Sequence, residues 1–534
     1  MFYSTIVNQY TMVNLVTKYL EINKYNDKNE AFESSYLSHP NYPSLYAVTD
    51  TLSLLHIENI AARIPKEQFI ELPDYFLALL DGEFVLVHKK VAHVEIETIK
   101  GSFFKLSFDD FLNRWNQLVI AVEPNLVSTT KLKYPFSKWY LYILPCIALI
   151  TVSLFFKSYG LTEFLLLSTS ILGLVVSVFI VQEKFGIKNE MATKLCSLNT
   201  KASCDSVIQS EISTINKWLS FSDLPLLFFA ISVMAILMQP KNSGVLVGFL
   251  SLVMLPIIVY SIWLQKFELK KWCVLCLAVS LLIVSQGLVF GLTTASFLKI
   301  LLSVNVYAVL FAAIVITSLW FLVKPIITKK LQFESEVNEL KRFKRDFKLF
   351  TFLSKTIPQI DGFQELEGIQ IGNVNAEVQL TIIISPSCGH CHTAFQEAIE
   401  LVKNYSERVF LQVLFNINPE NNNNPYTIVV ETLLSINALF PQNAEEALTD
   451  WHVKKMELNQ WKEKWTVKRI DTKVNHQIAI QYLWCLQNKF NYTPVKLINE
   501  KLFPTQYEIN ELKYFLNDFS EEKQVLEDTI AIEA

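Results

Sequence analysis

Residues 272–292 read WCVLCLAVSLLIVSQGLVFGL, an uncharged apolar segment with two cysteines at its start. A segment of about 20 apolar residues is long enough to cross the core of a bilayer. Six of the eight cysteines of the chain fall into three close pairs of this kind. The pairs are Cys196/Cys204, Cys273/Cys276 and Cys388/Cys391. Because electrons pass between dithiols by thiol exchange, this pattern indicates a redox relay that is partly embedded in a membrane.

The bulk composition indicates a membrane protein with soluble parts. The chain has 534 residues, of which 51% are hydrophobic, and its mean hydropathy is +0.29. A net charge of −4 gives no indication of nucleic-acid binding, and we expect no nucleic-acid partner. The first twenty residues lack a basic start and a compact apolar stretch, so we expect no cleaved signal peptide there. The two remaining cysteines, Cys146 and Cys485, are expected to be small buried hydrophobes.

The central apolar block divides into six candidate membrane spans. These are 139–156, 161–181, 224–238, 244–264, 272–298 and 306–323. The third is short, and we expect it to extend backwards through WLSFSD. The predicted domains are 1–130, the membrane block 139–325, a juxtamembrane linker 326–344 and a C-terminal domain 345–534.

With six spans, both termini and all three cysteine pairs lie on one face of the membrane, where the pairs can meet. Lysine counts do not identify that face. The short loops on the opposite side carry Lys157, Lys241 and Lys299, and the longer loops on the cysteine side have a similar lysine density. Disulfide chemistry favours an oxidising compartment. We therefore expect an integral protein of the cytoplasmic (inner) membrane with its redox domains on the extracytoplasmic side.

The two cysteine motifs of the membrane block are specific in combination. CSLNTKASCDSVIQS at 196–210 is followed by WCVLC at 272–276, at the start of a span. A zinc site built from the two pairs is the alternative, although tetrahedral structural sites are typical of soluble modules. Together the motifs resemble the vitamin K epoxide reductase family over roughly residues 160–325. FSDLPLLFFA at 221–230 departs from this resemblance, which implies a glycine-containing start of the next span.

The resemblance implies a role for each of the four membrane-block cysteines. Cys196 exchanges with an outside redox partner, and Cys204 passes electrons to Cys273. Cys276 lies deepest and faces a quinone, either menaquinone or ubiquinone. The sequence assigns no other quinone contact, and we expect no metal site.

The third pair lies in QLTIIISPSCGHCHTAFQEAIELV at 379–402, which predicts a strand, a turn and a helix. This order places Cys388 at a helix N-terminus, where the dipole and free N–H groups stabilise a thiolate. Cys388 is then the attacking thiol and Cys391 the resolving thiol, and His390 can add positive charge or a donor. The segment resembles thioredoxin-fold disulfide oxidoreductases over residues 345–534.

A second motif supports the same resemblance. Thr493 and Pro494 in NYTPVKLINEKLF resemble the cis-proline strand of that fold, which packs beside the C-x-x-C motif and helps to bind substrate cysteines. The alternative for a lone Thr-Pro is an ordinary loop. Residues 425–487 carry apolar residues at helical spacing and predict a helical insertion.

The N-terminal region resembles a C39-type cysteine peptidase domain of the papain-like class. The stretches that carry the resemblance are HPNYPSLYAVTDTLSLLHIENIAARIP at 39–65 and LPDYFLALLDGEFVLVHKK at 72–90. Such a peptidase requires a nucleophilic cysteine and a basic histidine. This region has no cysteine, Glu83 stands at the histidine position, and His88 is displaced along the strand. We expect His39 and His56 to be turn and surface residues. The domain is therefore predicted not to be a peptidase, and a generic α+β domain is the alternative.

The predicted fold class is a multidomain integral membrane protein. An α-helical transmembrane bundle is flanked by an α+β papain-like N-terminal domain and an α/β thioredoxin-fold C-terminal domain. The predicted function is a quinone-dependent thiol–disulfide oxidoreductase that oxidises reduced cysteine-containing proteins or peptides. Two alternatives are a client-specific redox accessory for peptide maturation or export, and a non-enzymatic membrane scaffold with structural disulfides.

Overall fold

The structure is a computed structural model with two compact units, Met1–Glu339 and Leu340–Ala534. It describes residues 2–99, 103–125, 151, 157, 159–187, 219–268, 271–293, 306–421, 423–467 and 472–533. The first predicted span, apart from residue 151, lies outside the described residues, as do Cys146, Cys196 and Cys204.

The described part of the N-terminal region combines four helices with a six-stranded sheet. The helices are α1 (Phe2–Ile22), α2 (Asn29–Leu37), α3 (Leu45–Leu54) and α4 (Phe108–Arg114). Short 3-10 helices cover Asn26–Lys28 and Lys66–Glu71. The strands are β1 (Asn59–Arg63), β2 (Tyr75–Leu80), β3 (Glu83–Lys89), β4 (Val94–Thr98), β5 (Phe103–Leu106) and β6 (Trp115–Val122). Their order is β1-β6-β2-β3-β4-β5, and every neighbouring pair is antiparallel.

Both faces of this sheet are covered, which explains the nearly unbroken apolar runs in β2 and β3. Leu77 and Leu86 point into a core formed with α1, α2 and α3. Phe76 and Val87 point to the other face, into a second core that contains Phe111 of α4. The region is therefore an α+β sheet domain, and its papain-like character stays a prediction.

The expected surface position of His39 is wrong. His39 lies in the turn between α2 and α3 but is only 6% exposed. Its Nε2 is 2.9 Å from Oδ2 of the buried Asp50, and its Nδ1 accepts a hydrogen bond from the N–H of Asn41 at 3.0 Å. A polar side chain whose ring nitrogens are both hydrogen-bonded can be buried in a turn. His56, in the turn after α3, is exposed as expected.

The described part of the membrane block is mostly helical. Its helices are α5 (Leu161–Lys184), α6 (Asp223–Met238), α7 (Pro240–Val253), α8 (Leu255–Trp263), α9 (Val274–Thr293) and α10 (Tyr307–Lys344). A π-helix at Leu264–Glu268 continues α8. Among the described residues, four helical segments are long and apolar enough to cross a membrane. They are Leu161–Lys184, Pro240–Glu268, Val274–Leu292 and Tyr307–Lys344.

Two boundaries differ from the sequence prediction. The third predicted span is the 16-residue helix α6, which begins at Asp223 and does not extend backwards through residues 219–222. Pro240 at the first turn of α7 begins a new helix, so α6 is not prolonged in the other direction either. The predicted linker 326–344 is the continuation of α10, which contains Pro325. A total of six spans stays a prediction.

Close backbone approach and buried hydrogen bonds hold the membrane helices together, as is usual in apolar surroundings. A Cβ atom on Gly173 of α5 would lie 2.3 Å from the ring of Phe229 on α6. The buried side chain of Gln286 on α9 donates to Ser170 of α5 at 2.9 Å. It accepts from Ser251 of α7 at 3.1 Å.

The C-terminal unit contains a second six-stranded sheet. Its strands are β7 (Lys355–Thr356), β8 (Ile369–Gly372), β9 (Val378–Ile384), β10 (Val409–Phe415), β11 (Val495–Ile498) and β12 (Lys501–Leu502). Its helices are α11 (Phe347–Leu353), α12 (Gly389–Asn404), α13 (Thr427–Leu439), α14 (Pro441–His452), α15 (Leu458–Lys464), α16 (Thr472–Gln487) and α17 (Leu516–Glu533). Short 3-10 helices cover Phe363–Glu365 and Ile509–Tyr514.

The strand order is β7-β12-β11-β9-β10-β8. Strands β9 and β10 are parallel, and β11 is antiparallel to both β9 and β12. This order and these directions are those of the thioredoxin fold, as the resemblance implied. Helices α13 to α16 form the predicted insertion between β10 and β11. Cys485 on α16 is buried, as expected for a free cysteine that packs as a hydrophobe.

Candidate active sites

The thioredoxin-like dithiol lies where β9 leads into α12. Cys388 is the N-cap residue of α12 and is half-buried, and Cys391 in the first turn is fully buried. The Cys388 thiol donates to the carbonyl oxygen of Thr493 at 3.3 Å, and the Thr493–Pro494 peptide bond is cis. The structure thus brings Cys388, Cys391 and Thr493 together, and His390 stands exposed on the first turn of the helix.

The two thiols have opposite acid–base character. Burial raises the pKa of Cys388. Hydrogen bonds to its sulfur from the side chains of Cys391 and Thr493, and from the backbone N–H groups of Cys391 and His390, outweigh burial and lower that pKa overall. Burial, followed by the interaction with Cys388, raises the pKa of Cys391 to about 12. Because the thiolate is the nucleophile, Cys388 is suited to attack and Cys391 to act afterwards.

Helix α14 supports the loop that precedes Cys388, a contact that sequence reasoning missed. Trp451 Nε1 donates to the carbonyl oxygen of Pro386 at 3.1 Å. Nδ1 of the buried His452 is 3.0 Å from Nδ1 of His392, which directly follows Cys391. No local motif signals these contacts, since α14 is about 60 residues away along the chain.

The membrane dithiol lies at the start of α9. The buried Cys273 donates its backbone N–H to Oε1 of Gln265 at 2.9 Å. The N–H of Cys276 donates to Sγ of Cys273 at 3.3 Å. Gln265 belongs to the π-helix that continues α8, a type of irregularity that is frequent at functional sites. The C-x-x-C spacing therefore holds the two cysteines near one helix end, and Gln265 holds the backbone of the first.

A cavity of about 120 Å³ opens onto Cys276. Its walls are mostly aliphatic and aromatic, contributed by α5, α6, α8 and α9. Apolar lining residues include Ile180, Leu224, Phe228, Ile258, Val279 and Ile283. An apolar cleft with a few hydroxyl groups is the kind of site that holds a planar, mostly apolar ring with a small number of polar atoms. The residues present therefore fit a quinone beside Cys276.

The sequence FSDLP at 221–225, which departs from the family resemblance, contributes Asp223 to a buried ionic cluster. Asp223, fully buried at the start of α6, contacts the ammonium group of Lys324 on α10 and is 3.7 Å from that of Lys184 on α5. Ser220 donates to Oδ2 of Asp223 from its N–H at 2.9 Å and from its hydroxyl at 2.8 Å. The carboxylate thus joins three helices next to the cavity, where Ser222 and Leu224 are lining residues.

The two residues at and near the expected histidine position of the N-terminal domain, Glu83 and His88, both lie on strand β3. His88 on β3 stacks on Tyr75 with ring centroids 4.0 Å apart, and Glu83 is exposed. The region contains no cysteine for His88 to activate.

Residues 164–294 match the model of the vitamin K epoxide reductase family. This chain contains a vitamin K epoxide reductase family domain. The domain includes α6 to α9, the dithiol Cys273/Cys276 and the cavity beside it. No curated protein sequence is significantly similar to the chain.

Several solved structures are similar to part of the chain. A periplasmic thioredoxin-like protein from Salmonella enterica serovar Typhimurium is 16% identical, over 28% of this chain and 89% of that chain, with a TM-score of 0.25. The thiol-disulfide exchange protein alpha-DsbA2 from Wolbachia pipientis is 19% identical, over 30% and 90%, with a TM-score of 0.23. BdbD from Bacillus subtilis is 12% identical, over 31% and 96%, with a TM-score of 0.24. The vitamin K epoxide reductase family domain and the two dithiols make the chain a membrane-associated thiol–disulfide oxidoreductase.

Proposed function

We propose that this protein is a quinone-linked membrane thiol oxidase that forms disulfide bonds in other proteins. Electrons pass from a substrate dithiol to Cys388/Cys391, then to Cys196/Cys204, then to Cys273/Cys276. The final acceptor is menaquinone or ubiquinone, and the redox domains face the extracytoplasmic side. The observation that carries the proposal is the apolar cavity that opens onto Cys276, at the inner end of a C-x-x-C pair.

The first half of the reaction takes place at α12. A substrate thiolate attacks Sγ of Cys388 in the Cys388–Cys391 disulfide, and Cys391 leaves with the electron pair. The second substrate thiolate then attacks the mixed disulfide and releases Cys388. The lowered pKa of Cys388 makes it a good leaving group in this step. Thr493 lies at hydrogen-bond distance from the same sulfur atom, in position to orient the incoming chain. The substrate becomes a disulfide, and Cys388/Cys391 becomes a dithiol.

The second half regenerates the Cys388–Cys391 disulfide by exchange with Cys196/Cys204 and then with Cys273/Cys276. Each exchange transfers two electrons and leaves the number of disulfides unchanged. Fusion of both parts in one chain raises the effective concentration of each dithiol for the other above that of two separate proteins. This proximity favours the internal partner over free thiols in solution.

The membrane dithiol completes the cycle. Oxidation of Cys273 and Cys276 to a disulfide releases two electrons and two protons, and a quinone, when bound, supplies an acceptor for both. Gln265 holds the backbone of Cys273, and the cavity walls beside Cys276 are mostly apolar.

The test is quinone-dependent oxidation of a reduced, unfolded protein by the purified full chain in lipid nanodiscs. Substrate thiols and quinone absorbance are followed together. The intact chain is expected to consume one quinone for each disulfide formed, and Cys276→Ala is expected to abolish both signals. Cys485→Ala is the matched control, because Cys485 is a buried cysteine outside the three pairs. Thiol exchange without quinone consumption by the intact chain would refute the quinone link.

A further inference from the structure

Four side chains that line the cavity carry a hydroxyl group. They are Ser222, Tyr260, Ser261 and Ser280. A quinone carbonyl oxygen can only accept hydrogen bonds, so a useful contact requires a hydroxyl whose proton is not already bound elsewhere. The hydrogen bonds of the structure decide which of the four meets this requirement.

Two of these hydroxyl protons are already engaged. Ser280 donates to the carbonyl oxygen of Cys276 at 2.8 Å. Ser222 is 3.1 Å from the hydroxyl of Ser220, whose own proton goes to Asp223. Since Ser220 has only one proton to give, Ser222 must donate in the pair. Neither Ser222 nor Ser280 therefore has a proton to offer to the cavity.

Ser261 on α8 differs from Ser222 and Ser280 because it accepts its hydrogen bond. The backbone N–H of Cys273 can only donate, so the atom of Gln265 that faces it must be the amide oxygen, at 2.9 Å. The amide nitrogen of Gln265 then faces Ser261 and donates to its hydroxyl oxygen at 3.3 Å. Ser261 accepts in this contact, and among the described residues its proton has no other acceptor. Its hydroxyl proton is available to the cavity.

Tyr260 is the remaining candidate. It is 42% exposed, and its ring stacks on the exposed Trp263 with centroids 6.2 Å apart. No neighbour among the described residues holds its hydroxyl in place. A donor that is held in position by a buried partner loses less entropy on binding than one on an exposed side chain. The geometry therefore favours Ser261.

We propose that Ser261, oriented by Gln265, donates a hydrogen bond to a carbonyl oxygen of a quinone in this cavity. The proposal rests on the proposed function, and it adds a specificity-determining contact: the cavity prefers a ring with an acceptor oxygen over the matching hydrocarbon. Ser261, Gln265 and the N–H of Cys273 then form one hydrogen-bonded chain from the ligand to the dithiol. Bonds in such a chain polarise one another in the same direction.

Equilibrium dialysis of two ligands tests the proposal. Duroquinone has two carbonyl oxygens and no free ring position for thiol addition, and durene is the matching hydrocarbon. Dissociation constants are measured for the full chain in a Cys276→Ala background, which lacks the dithiol needed to reduce the quinone. Ser261→Ala is expected to raise the Kd of duroquinone about 3- to 10-fold, the effect of one lost neutral hydrogen bond. The Kd of durene is expected to stay within about 2-fold, because durene has no acceptor.

Two further variants sharpen the result. Ser261→Thr keeps the hydroxyl and is expected to retain duroquinone binding, which also shows that the site tolerates substitution. Tyr260→Phe is expected to change the Kd of duroquinone less than Ser261→Ala does. The assignment would be overturned if Ser261→Ala weakened the binding of duroquinone and of durene equally. It would also be overturned if only Tyr260→Phe lost duroquinone binding.

The proposed function and this contact fail in different ways. If the chain with Cys276 consumes no quinone while Ser261→Ala still weakens the binding of duroquinone but not of durene, the thiol oxidase proposal fails and the contact stands. If the chain reduces quinone but Ser261→Ala binds duroquinone as tightly as its parent, the contact fails alone. No measurable duroquinone binding by the parent chain overturns the contact.

Discussion

Acidification should destabilise the C-terminal unit through one histidine, His452 on α14. The side chain is 1% exposed, and its Nε2 has no hydrogen-bond partner among the described residues. The nearest ionisable side chain is His392, Nδ1 to Nδ1 at 3.0 Å, and the ring of Phe395 lies 5.4 Å away. Burial, followed by repulsion from His392, lowers the pKa of His452 to about 3. Protonation of the folded protein would therefore bury a charge with no counter-ion.

The sign and size follow from proton linkage. The unfolded state, with an ordinary histidine pKa of about 6.5, binds more protons than the folded state between about pH 6.5 and pH 3. The contribution of His452 is therefore fully present above about pH 6.5 and is lost as the pH falls below it. Between about pH 7.5 and pH 5 the loss amounts to about 2 kcal/mol.

Hydrogen exchange of the full chain in nanodiscs provides the assay. Opening free energies are compared for amides of β9 and α12, after correction for intrinsic exchange rates at each pH. Other acidic groups, such as the carboxylate of Asp450 with its lowered pKa, also contribute to the acid loss, so the difference between variants isolates His452. His452→Gln should remove about 2 kcal/mol of the pH dependence. His476→Gln, on the exposed side of α16, should keep all of it. The reasoning is refuted if both variants show the same pH dependence.

Three further predictions concern the dithiols and the membrane helices. Alkylation of reduced Cys388 should reach half its maximal rate at a pH below the ordinary cysteine range, since its pKa is lowered. Cys391 should stay unreactive until about pH 12. Mass spectrometry of pulse-labelled peptides checks both, and equal reactivity of the two thiols would contradict the assignment. Asp223→Ala should destabilise the membrane domain by about 3–5 kcal/mol because it leaves two lysines at a buried site without their carboxylate, as measured by denaturation in mild detergent. Lys324→Met in the Asp223→Ala background should recover part of that loss, and no recovery would show that the ion pair is not the cause. Gly173→Val should lower the thermal stability of the same domain, because its Cβ would lie 2.3 Å from the ring of Phe229; an unchanged melting temperature would mean that α5 and α6 separate freely.

The sequence predicted the elements whose signals are local. A β-branched run followed by C-x-x-C and helical spacing is sufficient to place Cys388 at the start of α12, because each signal lies within about 25 residues of the others. The apolar membrane block follows from composition, whereas the α+β N-terminal domain and the α/β C-terminal domain were expected from family resemblances. The predicted helix ends were less accurate. Helix α6 begins at Asp223, whose carboxylate contacts side chains of α5 and α10, and hydropathy does not detect such contacts.

Contacts between distant segments could not be read from the sequence. In the sequence, Gln265 is one more polar residue at the end of a span. Only the π-helix places its side chain against the backbone of Cys273, eight residues later. His39 was expected at the surface because histidine in a turn usually is exposed, but Asp50 on the next helix provides a buried partner. In both cases a polar side chain gains a partner through tertiary structure, and its burial is a consequence of that partner.

The unequal environments of the two described dithiols also determine where the driving force must come from. Stabilising the thiolate of Cys388 stabilises the reduced form of its pair, so the Cys388–Cys391 disulfide takes electrons readily from substrates and releases them reluctantly. For a two-electron couple, about 30 mV corresponds to about 1.4 kcal/mol, so each tenfold gain in substrate oxidation makes the following transfer tenfold harder. In the proposed relay, an apolar acceptor in the cavity beside Cys276 removes electrons and restores the forward direction. A chain whose cavity is blocked should therefore accumulate Cys388 and Cys391 as free thiols while substrate is present, and thiol trapping with a mass tag would detect them. Persistence of the Cys388–Cys391 disulfide under those conditions would mean that another oxidant re-oxidises the pair.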